Sequence, residues 1–199
     1  MNTALLISNV LLWLLVAGLA LTVLALARQV GILHERIAPA GALMVSGGPK
    51  VGESAPVLGV SDLDGADRSI GGARDDAKST LLFFLSANCP VCKTLLPVLK
   101  SAQKSEGSWL EVVLASDGEA SAQRAFVSRE DLSDFTYLLS TDLGMTYQVG
   151  KLPYAVLIDE QGIIRSKGLV NSREHIESLF EAKERGVASV QEYVAGAGD

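Results

Sequence analysis

The sequence predicts an α/β domain, a mixed central sheet flanked by helices, carried behind a single N-terminal transmembrane helix. Two observations predict it. Residues 3–27 hold no charged side chain, a run longer than the roughly 20 apolar residues that cross a bilayer as a helix. Beyond them, apolar runs of strand length alternate with stretches of helical periodicity, and the last two runs are joined by a tight turn. Alternation of this kind builds a parallel sheet, and a closing hairpin adds antiparallel strands.

The chain of 199 residues holds one domain of ordinary size plus an appendage. With 48% hydrophobic and 20% charged residues there is ample material for a core, which excludes wholesale disorder. The balance of 17 basic against 23 acidic side chains leaves a net charge of −6 without any basic block. Nucleic acid is therefore not an expected partner, because binding it needs dense positive charge. Two cysteines cannot staple a disulfide scaffold, and two histidines restrict any metal site.

Taken in order, residues 3–27 are read as the transmembrane helix, 28–50 as a tether, 51–185 as the folded domain and 186–199 as a loose C-terminal tail. The first charges after the apolar run are Arg28, His34, Glu35 and Arg36. A cleaved signal peptide competes for the segment, since Ala25-Leu26-Ala27 has small residues in a cleavage-like spacing. Against it stand the missing basic n-region and an apolar core well beyond the usual length of roughly 7–15 residues. Trp13 is a bilayer residue, and Ser8, Asn9 and Thr22 are tolerable because their side chains can bond backbone carbonyls.

Within the domain, Val57–Val60 and Arg68–Ile70 around Asp64-Gly65 read as a short hairpin. Ser79–Ser86 is a continuous apolar run, as in a central strand covered on both faces, with Phe83 and Phe84 packing to opposite sides. Cys89–Lys104 reads as a helix with apolar Val91, Leu95, Leu96 and Leu99 at helical spacing. Trp109–Ala115 is a second buried strand, Glu119–Arg129 a crossover helix, Phe135–Leu139 a third strand and Asp142–Tyr147 a short helix. Tyr154–Asp159 and Ile163–Lys167 form the closing hairpin. Ser172 caps a last helix through Arg185, with Glu174 and Glu177 in its first turns.

The chemistry lies in Cys89-Pro90-Val91-Cys92, where a buried strand gives way to a helix. A sulfur in the first helical turn meets unpaired backbone N–H groups and the positive end of the helix dipole, and both favour thiolate. Thiolate is the attacking species in disulfide exchange, and two intervening residues let the second sulfur reach the first. Cys89 is assigned as nucleophile and Cys92 as resolving thiol. Half of a zinc site would look the same, but completing it would need His175 and a carboxylate far from the usual spacing. A purely structural disulfide is the other alternative, and it leaves the strand-to-helix position unexplained. No metal is assigned, and no cofactor beyond the Cys89–Cys92 disulfide itself.

The stretch Leu81–Lys100 (LLFFLSANCPVCKTLLPVLK) resembles the strand, active-site motif and first helix of the thioredoxin superfamily. Pro97 matches that family's helix-kinking proline, and Leu152-Pro153-Tyr154 before a strand matches its cis-proline loop. Val156–Gly162 (VLIDEQG) and the introductory VGESAPVLGVSDLDG are similar to membrane-tethered thioredoxin-like and peroxiredoxin-like proteins. The resemblance implies a thioredoxin-like fold over roughly residues 50–185 and a client-binding role for Leu152, Pro153 and Tyr154. Asn88 stands where thioredoxin has Trp, and Pro-Val where it has Gly-Pro, so the direction of electron flow does not carry over.

The anchor, the SANCPVC motif and KLPYAVLIDEQGIIRSKGL together resemble the methylamine-utilisation family of accessory proteins. This implies a periplasmic thiol–disulfide oxidoreductase that matures the small subunit of methylamine dehydrogenase, a protein client rich in disulfides, with a redox partner protein still to be identified. The expected location is the inner membrane in a single pass with the catalytic domain in the periplasm, where a dithiol/disulfide cycle is sustained. The flanking Arg28 and Arg36 vote for the opposite orientation. Two rival functions stay open on the residues alone: a thiol reductase of the cytochrome c assembly type, and a non-enzymatic client chaperone or copper carrier using the cysteines as soft ligands. Lys93 and His175 read as solvated helix residues and Trp109 as core. Asp117, Asp159 and Glu160 are acid–base candidates to which no role is assigned.

Overall fold

The computed structural model describes residues 2–36 and 47–185 and comprises two units, the first ending at Leu43 and the second starting at Met44. The tail expected at 186–199, and tether residues 37–46, lie outside the described residues.

The first unit is one helix, α1 (Asn2–Arg36). Its stretch Ile7–Leu24 has a mean hydropathy of 2.3 and is 0% buried, long and apolar enough to cross a membrane by length and composition. Thr22 Oγ1 donates to the Leu19 carbonyl at 2.7 Å, satisfying its hydroxyl within the helix. The helix continues through residues 28–36, which the sequence reading placed in the tether. The physical reason is that extending an existing helix requires fixing only one more residue per hydrogen bond, whereas starting one is costly.

The second unit begins with a ribbon of β1 (Leu58–Ser61) and β2 (Asp67–Ile70). Then follow β3 (Ser79–Phe84), α2 (Pro90–Ser105), β4 (Leu110–Ser116), α3 (Ala120–Arg129), β5 (Thr136–Leu139), α4 (Thr141–Thr146), β6 (Tyr154–Ile158), β7 (Ile164–Leu169) and α5 (Arg173–Arg185). The five-stranded sheet has the order β5-β4-β3-β6-β7. Strands β3, β4 and β5 are parallel, joined by helical crossovers, and β6 and β7 run antiparallel to their neighbours. Every element expected in this second unit is present, with ends shifted by a residue or two.

Strand β3 is central and buried at every position. Its alternate side chains feed two cores, as the two-residue period of a strand requires. Leu81 and Phe83 pack with Leu95, Leu96 and Leu99 of α2 and Ile176 of α5. Leu82 and Phe84 pack on the other face with Val60, Leu143, Tyr147 and Val156. The expectation for the two phenylalanines therefore holds.

Two of the acid–base candidates serve the fold. Asp159 is almost wholly buried at the β6–β7 turn, where Oδ1 accepts from the Gln161 and Ile163 N–H groups and Oδ2 pairs with Arg165. Glu160 meets Lys183 of α5 at 3.0 Å, and Lys183 Nζ also lies 4.8 Å from the Trp109 ring centroid. A bond from its own backbone N–H and then one from Lys183 hold the Glu160 carboxyl down at about 2, against an ordinary 4.5. A depressed carboxyl stabilises the fold above its unfolded value and loses that contribution as acid approaches the folded value. Glu160→Gln is accordingly expected to lower the denaturant midpoint at pH 7 and to flatten the loss of stability between pH 4.5 and about 2. Denaturant titrations at a series of pH values check this, and parallel pH profiles for the two proteins would refute it.

Candidate active site

Strand register assembles the site. In the antiparallel β3–β6 pair Phe84 lies opposite Tyr154, so the end of β3 and the start of β6 leave the sheet side by side. The Cys89 motif follows β3 and Pro153 precedes β6, which brings two segments far apart in sequence to one end of the sheet. Asp159 and Glu160 lie beyond the Thr80–Ile158 pair, at the opposite end.

The approach to Cys89 is a turn fixed by the backbone. The Leu85 N–H donates to the Ala115 carbonyl at 2.9 Å, and the Cys89 N–H donates to the Ser86 carbonyl at 3.0 Å. Ser86 Oγ also accepts from the Asn88 N–H at 3.3 Å. Cys89 is the N-cap of α2 with φ −85° and ψ 111°, and Pro90 follows at the first helical position, where its missing N–H is no loss and its fixed φ suits the helix. Cys89 Sγ accepts from the Cys92 N–H at 3.1 Å. The sulfur thus takes the place of the side-chain oxygen that ordinarily caps a helix.

Cys89 and Cys92 are joined as a disulfide with their Cα atoms 5.2 Å apart. The two sulfurs are unequal. Cys92 is 0% exposed and packs in the core beside Leu96, whereas Cys89 is half-buried against its edge. Apolar surface frames them: Val91 is 41% exposed and Leu152 39% exposed. Lys93 is exposed on α2, as expected of a solvated residue.

The three residues assigned to client binding are brought to this end of the sheet but differ in presentation. The Leu152–Pro153 peptide is cis, as the resemblance implied, and Leu152 is open to solvent. Pro153 is buried. Tyr154 is 4% exposed and tilts against Phe84 with ring centroids 6.4 Å apart. Its side chain is a core residue rather than a contact surface, because the first residue of β6 faces the second core; burial also pushes its phenol up. Pro97 stands inside α2, exposed, and the helix runs on to Ser105. His175 is exposed and accepts from the Asn171 N–H through Nδ1 at 3.1 Å. Among the described residues no group of three or more histidine, cysteine, aspartate or glutamate side chains could hold a metal ion.

A buried polar pair that the sequence reading did not single out supports the neighbouring loop. Tyr137 Oη donates to Gln123 Oε1 at 2.7 Å, and Gln123 Nε2 donates to the Asp117 carbonyl at 2.9 Å. Burial pushes the Tyr137 phenol up to about 12, against an opposing hydrogen bond with Ser116 and with a smaller push from the charge of Asp117. The available signal was Gln123 on the same inward helical face as Phe126.

The profile of the Redoxin family matches residues 50–183. The methylamine utilization protein MauD of Paracoccus denitrificans is 47% identical over 195 residues, covering 98% of this chain and 96% of that protein. The chain belongs to the MauD group of the Redoxin family. MauD of Methylorubrum extorquens is 46% identical over 187 residues, covering 94% of this chain and 90% of its own. Among solved structures, the thioredoxin domain of a thiol-disulfide oxidoreductase from Bacteroides vulgatus superposes with a TM-score of 0.55 at 20% identity. That match covers 70% of this chain and 99% of the other, and shows a shared thioredoxin-like fold. The family, together with a joined cysteine pair at the strand-to-helix corner, makes the chain a thiol–disulfide oxidoreductase.

Proposed function

We propose that the chain exchanges disulfides with a protein client through Cys89, using no cofactor beyond the Cys89–Cys92 bond. The observation that carries this reading is the inequality of the two sulfurs: Cys89 is half-buried at the N-cap and Cys92 is fully buried behind it. In the oxidising direction a client thiolate attacks Cys89 Sγ and Cys92 leaves as the thiolate, giving a mixed disulfide. A second client thiolate then attacks the client sulfur of that bond and releases Cys89. Two client thiols become one disulfide while Cys89 and Cys92 become two thiols, so two electrons and two protons are transferred.

The client in this reading is the small subunit of methylamine dehydrogenase, whose disulfides the protein forms or isomerises during maturation. The named methylamine-utilization relatives support that assignment. Helix α1 serves as an uncleaved anchor in the inner membrane, with the domain in the periplasm, where thiols are not held reduced. A C-terminal alkaline phosphatase fusion is expected to be active; activity confined to a cytoplasmic reporter would overturn the orientation.

The deciding experiment is Cys92→Ser. In this variant the Cys89 thiolate attacks a client disulfide and one client thiolate leaves. With no Cys92 thiol to displace the other client sulfur, the mixed disulfide persists, and a reductant-sensitive band of higher mass is expected on non-reducing gels. A protein that merely held a client or a soft metal would form no such adduct, and its absence would sink the exchange reading.

A further inference from the structure

Beside Leu152, a cavity of about 350 Å³ opens at the ends of β3 and β4, between the loop after β4, the start of α4 and residues 149–152. Apolar Phe84 and Leu152 and the polar residues Ser116, Asp117, Ser140 and Lys151 contribute to its lining. Mixed lining of this kind suits a side chain with a long aliphatic stem and a polar tip.

The lining carries one acidic and one basic side chain, Asp117 and Lys151, and the acidic side is built rather than incidental. The Asp117 backbone is held by the Gln123 amide, itself 6% exposed and tied to the Tyr137 hydroxyl. Gly118 follows with φ +98°, a conformation that a side chain would resist. Two buried polar groups thus fix the loop that carries an exposed carboxylate, and among the described residues no hydrogen bond or ion pair engages that carboxylate.

We infer that this cavity is the specificity subsite for the client, taking a lysine or arginine side chain close in sequence to the reacting client cysteine, with Asp117 pairing its cationic tip. In an extended client segment residues two apart share a face, so a segment laid along Leu152 can present its cysteine to Cys89 and a neighbouring side chain to the cavity. The inference rests on the exchange reading and adds a determinant to it.

The test uses the full chain in detergent with synthetic peptide dithiols. They differ only at the residue two places before the attacking cysteine: lysine, norleucine or glutamate. The readout is the second-order rate constant for reduction of the Cys89–Cys92 disulfide. The lysine peptide is expected to react about tenfold faster than the norleucine peptide, the scale of a partly desolvated charged hydrogen bond. In Asp117→Asn the ratio is expected to fall to about 1, while in Asp142→Asn, an exposed carboxylate outside the cavity lining, it persists. Equal rates in the unsubstituted chain, a preference that survives Asp117→Asn, or a preference for glutamate would overturn the subsite. Dithiothreitol separates the two levels of the argument. If it reduces the disulfide while the peptides show no preference, only the subsite falls; if neither reduces it, the exchange reading falls as well.

Discussion

Cys89→Ala is expected to reduce exchange with any dithiol or protein disulfide by more than about 10³-fold, as loss of a covalent nucleophile does. The geometry explains why no other group can substitute. The only other sulfur of the pair is 0% exposed in the core, behind the first turn of α2. Cys89 alone combines partial exposure with a position at the helix N-terminus, where its sulfur accepts the Cys92 N–H. The same donor favours the thiolate once the disulfide has been opened. Turnover of a fluorescent disulfide substrate, with thermal midpoints measured alongside, checks the prediction. Cys89→Ala retaining a tenth of the activity would place the nucleophile elsewhere. Cys92→Ser differs in kind: it permits attack and blocks release, so adduct accumulates while turnover stops.

The largest stability effect is expected at Phe83. It is 0% exposed, next to last in the central strand, and packs with the core beneath α2. Truncation to alanine removes its transfer free energy and leaves a cavity that the flanking strands cannot close, since both pair with β3 through backbone hydrogen bonds. The expected cost is about 3–5 kcal/mol. Against an ordinary total of roughly 5–15 kcal/mol for a domain, such a loss leaves little margin. A denaturant titration reads it directly. A loss below about 1 kcal/mol, the scale of a well-tolerated core exchange, would mean that Phe83 is not the packing centre described.

Much of this was legible in the linear chain because the relevant forces are local. The run STLLFF announces a strand covered on both faces. The spacing of Leu95, Leu96 and Leu99 announces the inward face of α2, and a cysteine just ahead of Pro90 announces a helix start. Each reading depends on residues within a turn or two of one another. The local reading erred where elongation mattered: residues 28–36 looked like linker, yet they continue α1. At Tyr154 the linear chain left the direction of the side chain open: the residue neighbours the exposed Leu152 but faces the core. Which way a strand's first side chain points depends on the register against β3, and the single sequence does not contain that register.

The sequence by itself determined the apolar span, the alternation of strands and helices, and the reactive pair at a helix start, because periodicity, capping and spacing act over a few residues. The tertiary structure alone decided that Pro153 lies at the Cys89 end of the sheet and Asp159 and Glu160 at the other. It also decided that Cys92 is sealed while Cys89 is not, and that Gln123 and Tyr137 brace the Asp117 loop beside a cavity. These features arise from strand pairing and close packing between residues tens of positions apart, and such contacts exist only once the sheet has formed.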